Sequence, residues 1–93
     1  MDGELPVEEA RLLKVLGHPL RLRIAVGLMD EAHCVGEVWS CLGIAQAEAS
    51  RHLALLREVG AVSCTREGKQ VRYRLENDRV RRLIMALTAP AGG

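Results

Sequence analysis

Apolar residues recur along most of this chain with the period of a helix. Over residues 6–16, Ala10, Leu13 and either Leu16 or Gly17 share one face, Leu12 and Val15 broaden it, and Pro6 suits a first-turn position. Gly17-His18-Pro19 breaks that helix, and residues 20–31 start a second one with Leu20, Ile24 and Leu28 in register. Residues 35–42 form a third, shorter helix. In residues 46–59, Ala49, Leu53 and Leu56 recur at intervals of four and three, Leu55 and Val59 widen the stripe, and Gly60 stands where the helix should stop. The period then changes to two. Residues 61–66 and 70–75 flank the short turn Glu67-Gly68-Lys69, and the second strand alternates Val71, Tyr73 and Leu75 with Arg72 and Arg74. Residues 78–88 close the chain as a last helix with a stripe of Val80, Leu83, Ile84 and Leu87. Asn77 or Asp78 can cap it, Arg79, Arg81 and Arg82 take its remaining faces, and residues 89–93 read as a frayed tail.

This order predicts a mainly α fold with a two-stranded β-wing: four helices, a hairpin and a fifth helix in one domain spanning residues 1–93, with its core at about 6–88. The helices at 35–42 and 46–59, joined by Gly43-Ile44-Ala45, have the helix-turn-helix arrangement. With 48% hydrophobic residues but only 2% aromatic ones, the core must be built from Leu, Val, Ile and Ala. A chain of 93 residues buries a modest fraction of its surface alone, so a dimer is expected. No apolar run approaches the ~20 residues that span a bilayer. The acidic start Met1-Asp2-Gly3-Glu4 is unlike a secretory signal, which predicts a cytoplasmic protein without a membrane partner.

Net charge is only +1, but it is unevenly spread. Residues 1–45 hold four basic and seven acidic side chains, net −3, whereas residues 46–93 hold nine and five, net +4. The basic charge travels with the fourth helix and the hairpin, which suits contact with a polyanion. Gln46, Ser50 and Arg51 lie off the apolar stripe at the start of that helix, where they can reach base edges and phosphates in a major groove, and His52 can join them.

Three segments together carry a family likeness. Gly17-His18-Pro19-Leu20-Arg21-Leu22-Arg23-Ile24 comes first, followed by Ser50-Arg51-His52-Leu53-Ala54-Leu55-Leu56-Arg57-Glu58-Val59-Gly60-Ala61-Val62. The third is Arg66-Glu67-Gly68-Lys69-Gln70-Val71-Arg72-Tyr73-Arg74-Leu75. In this order and spacing the chain resembles the ArsR/SmtB family, small homodimeric winged-helix repressors that leave operator DNA when a metal ion, metalloid or oxidant reaches a sensing site. The resemblance implies that residues 46–59 are the recognition helix, with Gln46, Ser50, Arg51 and His52 near double-stranded DNA, and that Arg66, Lys69 and Arg72 form a basic wing. It also implies a dimer seam of Leu12, Leu13, Val15 and Leu16 against Val80, Leu83, Ile84 and Leu87, and hence a palindromic operator with half-sites about 34 Å apart. Ala45 leaves this helix without the family's hydroxyl cap. Glu48 departs from the pattern too: it either accepts from the amino group of cytosine or merely favours the positive end of the helix dipole.

The chain's three cysteines, an odd number, suggest free thiols. Cys34 matches the first of two cysteines in the family's metalloid-sensing segment, but Gly36 stands at the second, so the usual thiophilic site is not reproduced. His33 could add a nitrogen or be a solvated loop residue. Cys41 suits a small buried hydrophobe, and Cys64 shares its strand face with Val62. No resident cofactor or closed metal site is expected. A thiophilic metal, a metalloid or an oxidant acting on Cys34 with Cys41 or Cys64 is the sensing hypothesis.

Other functions fit less well. The chain has no nucleophile-base set, no phosphate-cradling glycine loop and no usefully spaced carboxylate pair, so no enzyme is expected. A protein-interaction module on the same fold is the alternative, because winged helices also dock partners.

Overall fold

In a computed structural model of the chain, residues 3–89 are described; the foreseen tail beyond Ala89 lies outside them. Five helices form: α1 (Val7–Leu16), α2 (Pro19–Asp30), α3 (Val35–Leu42), α4 (Gln46–Glu58) and α5 (Asp78–Thr88). Their ends follow local chemistry. His18 Nδ1 accepts the Leu20 N–H at 3.1 Å, so the helix break is an N-cap with Pro19 in the first turn of α2. Past α4, Gly60 takes φ +75°, donates to Arg57 O at 3.0 Å, and lets Ala61 donate to Leu56 O at 2.9 Å. These are the two bonds of a Schellman ending, which glycine reaches without steric cost. Asn77 caps α5 by accepting the Val80 N–H at 3.2 Å and donates to Gly60 O at 2.9 Å.

The sheet departs from the expected two-stranded wing. Strands β2 (Ser63–Glu67) and β3 (Gln70–Arg74) make the hairpin, but β1 (His33–Cys34) adds to its other edge, giving the order β1-β3-β2, all antiparallel. His33 pairs with Tyr73 and Cys34 with Arg72. Two residues are too few to show a period of two, so this strand leaves no local signal. Glu67 faces Gln70 across the loop, where Gly68 takes φ +62°, as the first position of a two-residue hairpin loop requires.

One aliphatic core unites the elements. Leu53, Leu56, Leu75, Val80 and Ile84 are its largest fully buried side chains, joined by Val15, Leu16, Ile24, Leu28 and Val38. Arg81 closes one end of it: its Nη2 donates to Met29 O and Leu75 O, both at 3.0 Å, tying α5 to the end of α2 and to the residue after β3. This arginine is half-buried rather than on a free helix face. Among the described residues, no helix is long and apolar enough to cross a membrane.

Candidate nucleic-acid interface

Helix α4 is sharply two-sided. Ala49, Leu53 and Leu56 are fully buried, whereas Gln46, Ala47, Ser50, Arg51 and Ala54 are exposed, at the spacing that puts them on one opposite face. Arg51 makes no ion pair or side-chain hydrogen bond among the described residues, and neither do Arg66 and Lys69 in the exposed wing. Three cations are thus presented to solvent with their charge uncompensated.

Two residues placed with them from sequence do not join them. His52 is 5% exposed and belongs to the inner face, because it lies three residues after Ala49 and four before Leu56. Its ring stacks at a tilt on His18, with centroids 4.9 Å apart, and its Nδ1 lies 3.4 Å from Arg21 Nη1. Arg21 Nε also donates to Val15 O at 2.6 Å, so this arginine links the end of α1 to α4. Glu48 turns along its own helix, with Oε1 3.6 Å from His52 Nε2. That separation is too long for a hydrogen bond and leaves Nε2 unsatisfied. Burial pushes the His52 pKa below its ordinary value, reinforced by His18 and Arg21 and only partly opposed by Glu48.

Arg72, expected on the basic wing, is also engaged within the fold. Its Nε donates to Glu67 Oε2 at 3.0 Å and its Nη1 lies 3.7 Å from Glu37 Oε1, so two carboxylates hold it within the sheet. Arg74 likewise pairs with Glu76, at 3.5 Å. The free wing cations are therefore Arg66 and Lys69, and the alternating arginines of β3 are largely neutralised.

The cysteines are placed without a common centre. Cys34 is the N-cap of α3, where Glu37 Oε1 accepts its backbone N–H at 3.0 Å and its sulfur faces the Glu37 N–H. That backbone bond, with the Cys34 thiol and His33 adding to it, brings the Glu37 carboxyl down to about 2. His33 is a half-buried strand residue between Glu31 at 3.6 Å and Glu37 at 3.3 Å, not a solvated loop residue. Cys41 is exposed near the end of α3, against the expectation of burial, and Val38 is the one buried residue of that helix. Cys64 stands opposite Tyr73 while Cys34 stands opposite Arg72, so the two thiols flank β3 from different rows and face opposite sides of the sheet. Two interstrand spacings, roughly 10 Å, exceed the reach of a disulfide. Cys34 and Cys41 are separated by the length of α3, again roughly 10 Å. Among the described residues, no three His, Cys, Asp or Glu side chains are grouped to hold a metal ion. With its sulfur turned to a helix N-terminus and Gly36 in place of a second thiol, Cys34 does not form a thiophilic site by itself.

The residues expected at a dimer seam fall into two groups. Val15, Leu16, Val80 and Ile84 lie in the protomer's own core, Leu12 and Leu83 are half-buried, and Leu13 and Leu87 are 56% and 65% exposed. Leu5, Val7 and Met85 are exposed apolar residues on the same segments. Glu9 in the first turn of α1 and Arg79 in the first turn of α5 lie 3.6 Å apart, so the two helices meet at their starts.

Similarity to known proteins agrees with this geometry. Residues 18–63 match the model of the bacterial regulatory protein, arsR family. The chain is 44% identical to the biofilm growth-associated repressor of Agrobacterium fabrum, over 94% of this chain and 81% of that protein. HlyU from Vibrio cholerae superposes with a TM-score of 0.82 at 36% identity, covering 87% of this chain and 88% of that one. A homodimeric winged helix-turn-helix DNA-binding domain from Mycobacterium bovis, solved in solution, superposes with a TM-score of 0.81 at 28% identity, covering 94% and 86%. A relative this similar over nearly the full length, on the same winged-helix frame, places the chain in the arsR family of bacterial transcriptional regulators.

Proposed function

We propose that the chain is a cytoplasmic, non-enzymatic repressor that binds an imperfectly palindromic operator as a homodimer. The observation that carries this reading is the exposed face of α4, where Gln46, Ser50 and the unpaired Arg51 stand opposite a fully buried stripe. A helix so arranged can lie in a major groove with its first turns at the base edges, while Arg66 and Lys69 reach flanking phosphates. The apolar residues left exposed on α1 and α5, Leu13, Met85 and Leu87 among them, supply a surface for a two-fold seam. The homodimeric Mycobacterium bovis domain and the Agrobacterium repressor support the assembly and the role.

Fluorescence anisotropy with the duplex upstream of the chain's own gene tests the proposal. Tight binding at low salt that weakens steeply as salt is added, with an affinity loss for Arg51→Ala, is expected. Binding indifferent to salt, or unchanged in Arg51→Ala, would favour the protein-docking alternative.

A further inference from the structure

A cleft of about 320 Å³ opens between α2 and α3, a volume at the lower end of the ~300–1,000 Å³ typical of small-molecule sites. Its floor is aliphatic, made by Ile24, Leu28, Val38 and Leu42, and Cys41 lies on its wall. Gly27 lines it as well. This glycine sits inside α2 without a positive φ, in a setting where glycine is among the least favourable residues, so the backbone gives no reason for it. A Cβ there would sit 3.5 Å from Arg23 Nη1, which shows that the guanidinium lies over the space the missing side chain leaves. Arg23 is exposed and makes no ion pair or side-chain hydrogen bond among the described residues. Besides the Cys41 thiol, the other charged or titratable groups on the lining are His33 and Glu37, and Glu37 is already engaged by Cys34, His33 and Arg72.

We propose that this cleft binds a small amphipathic monocarboxylate, with its hydrocarbon part on the aliphatic floor and its carboxylate on Arg23. A cationic ligand would meet the guanidinium with like charge, and a purely apolar one would leave Arg23 unused. The planar fork of an arginine matches a carboxylate. Because α3 is the leading helix of the helix-turn-helix pair, an occupant of this cleft lies one helix away from α4. The site is built from α2, α3 and His33 of β1 and uses none of the residues placed at DNA, so it stands or falls independently of the operator reading.

The probe is octanoate below its micellar concentration, titrated into the 15N-labelled full chain, with octanol and octylammonium as charge controls. Saturable amide shifts centred on α2 and α3 and slower iodoacetamide alkylation of Cys41 are expected with octanoate, with little effect from octylammonium. Arg23→Gln should weaken octanoate binding about tenfold. Gly27→Leu should fill the cleft and abolish binding while leaving the circular dichroism spectrum unchanged. Shifts confined to the exposed faces of α1 and α5, equal binding of all three probes, or undiminished binding to Arg23→Gln would overturn the proposal. Since Arg23 is a surface residue, its variant decides the matter even if Gly27→Leu fails to fold.

Discussion

Arg72 Nε lies 3.0 Å from Glu67 Oε2, so a cation that the strand pattern places on a DNA-facing wing is neutralised inside its own hairpin. The consequence is a division among the wing residues. Arg66→Ala and Lys69→Ala should each lower the slope of log affinity against log salt by about 1, the share of one released phosphate counterion. Arg72→Ala should leave that slope near the parent value while reducing thermal stability. An equal loss of slope in all three variants, read by anisotropy at several salt concentrations, would show that Arg72 leaves Glu67 on binding.

His52 makes stability depend on pH. Burial holds its pKa in the folded chain below the ordinary 6.5, so the unfolded chain binds the proton more readily between those two values. The stability linked to its neutral form is fully present above 6.5 and is lost as pH falls through the folded value. Urea midpoints measured between about pH 7.5 and about pH 5 should therefore decline, and His52→Leu should flatten the decline. A parallel decline in the variant would assign the effect to other groups.

The exposed and buried members of the α5 stripe should behave differently. Leu87, 65% exposed, changed to Glu should shift a dimer to monomer in sedimentation velocity while keeping the helical signal. Ile84, 1% exposed, changed to Ala should cost about 2–4 kcal/mol of folding stability, because it leaves a cavity in the protomer core. If Leu87→Glu sediments as the parent does, the seam lies elsewhere.

Leu53→Ala offers a control on α4. The side chain is fully buried, and its loss should cost about 2–5 kcal/mol, measured by denaturant unfolding. Arg51→Ala, on the opposite face, should leave stability within about 0.5 kcal/mol and act on DNA affinity alone.

Helix periodicity made most of this fold legible. The expected ranges 35–42 and 78–88 match α3 and α5, the other helix ends differ by a residue or two, and the turn after Gly43 falls where expected. What sequence did not disclose depends on contacts between distant segments. Strand β1 exists only because β3 offers it an edge, and Arg72 is restrained partly by Glu37 from another element. His52 is a different kind of miss, since positions 49, 52, 53 and 56 form one helical face and the spacing alone places it inside. Its polarity argued for the surface, but Arg21 meets one ring nitrogen and His18 stacks on the ring, while Nε2 stays without a partner. Arg81 repeats that lesson beside Val80 and Ile84.

The Asn77 amide uses both its ends at once, its oxygen on the first turn of α5 and its nitrogen on the carbonyl of Gly60 that closes α4. A single side chain thereby bolts the end of α4 to the start of α5. In the proposed homodimer, any reorientation of one subunit against its twin would therefore swing α4 with it, and the distance between the two copies of α4 would follow from how the subunits meet.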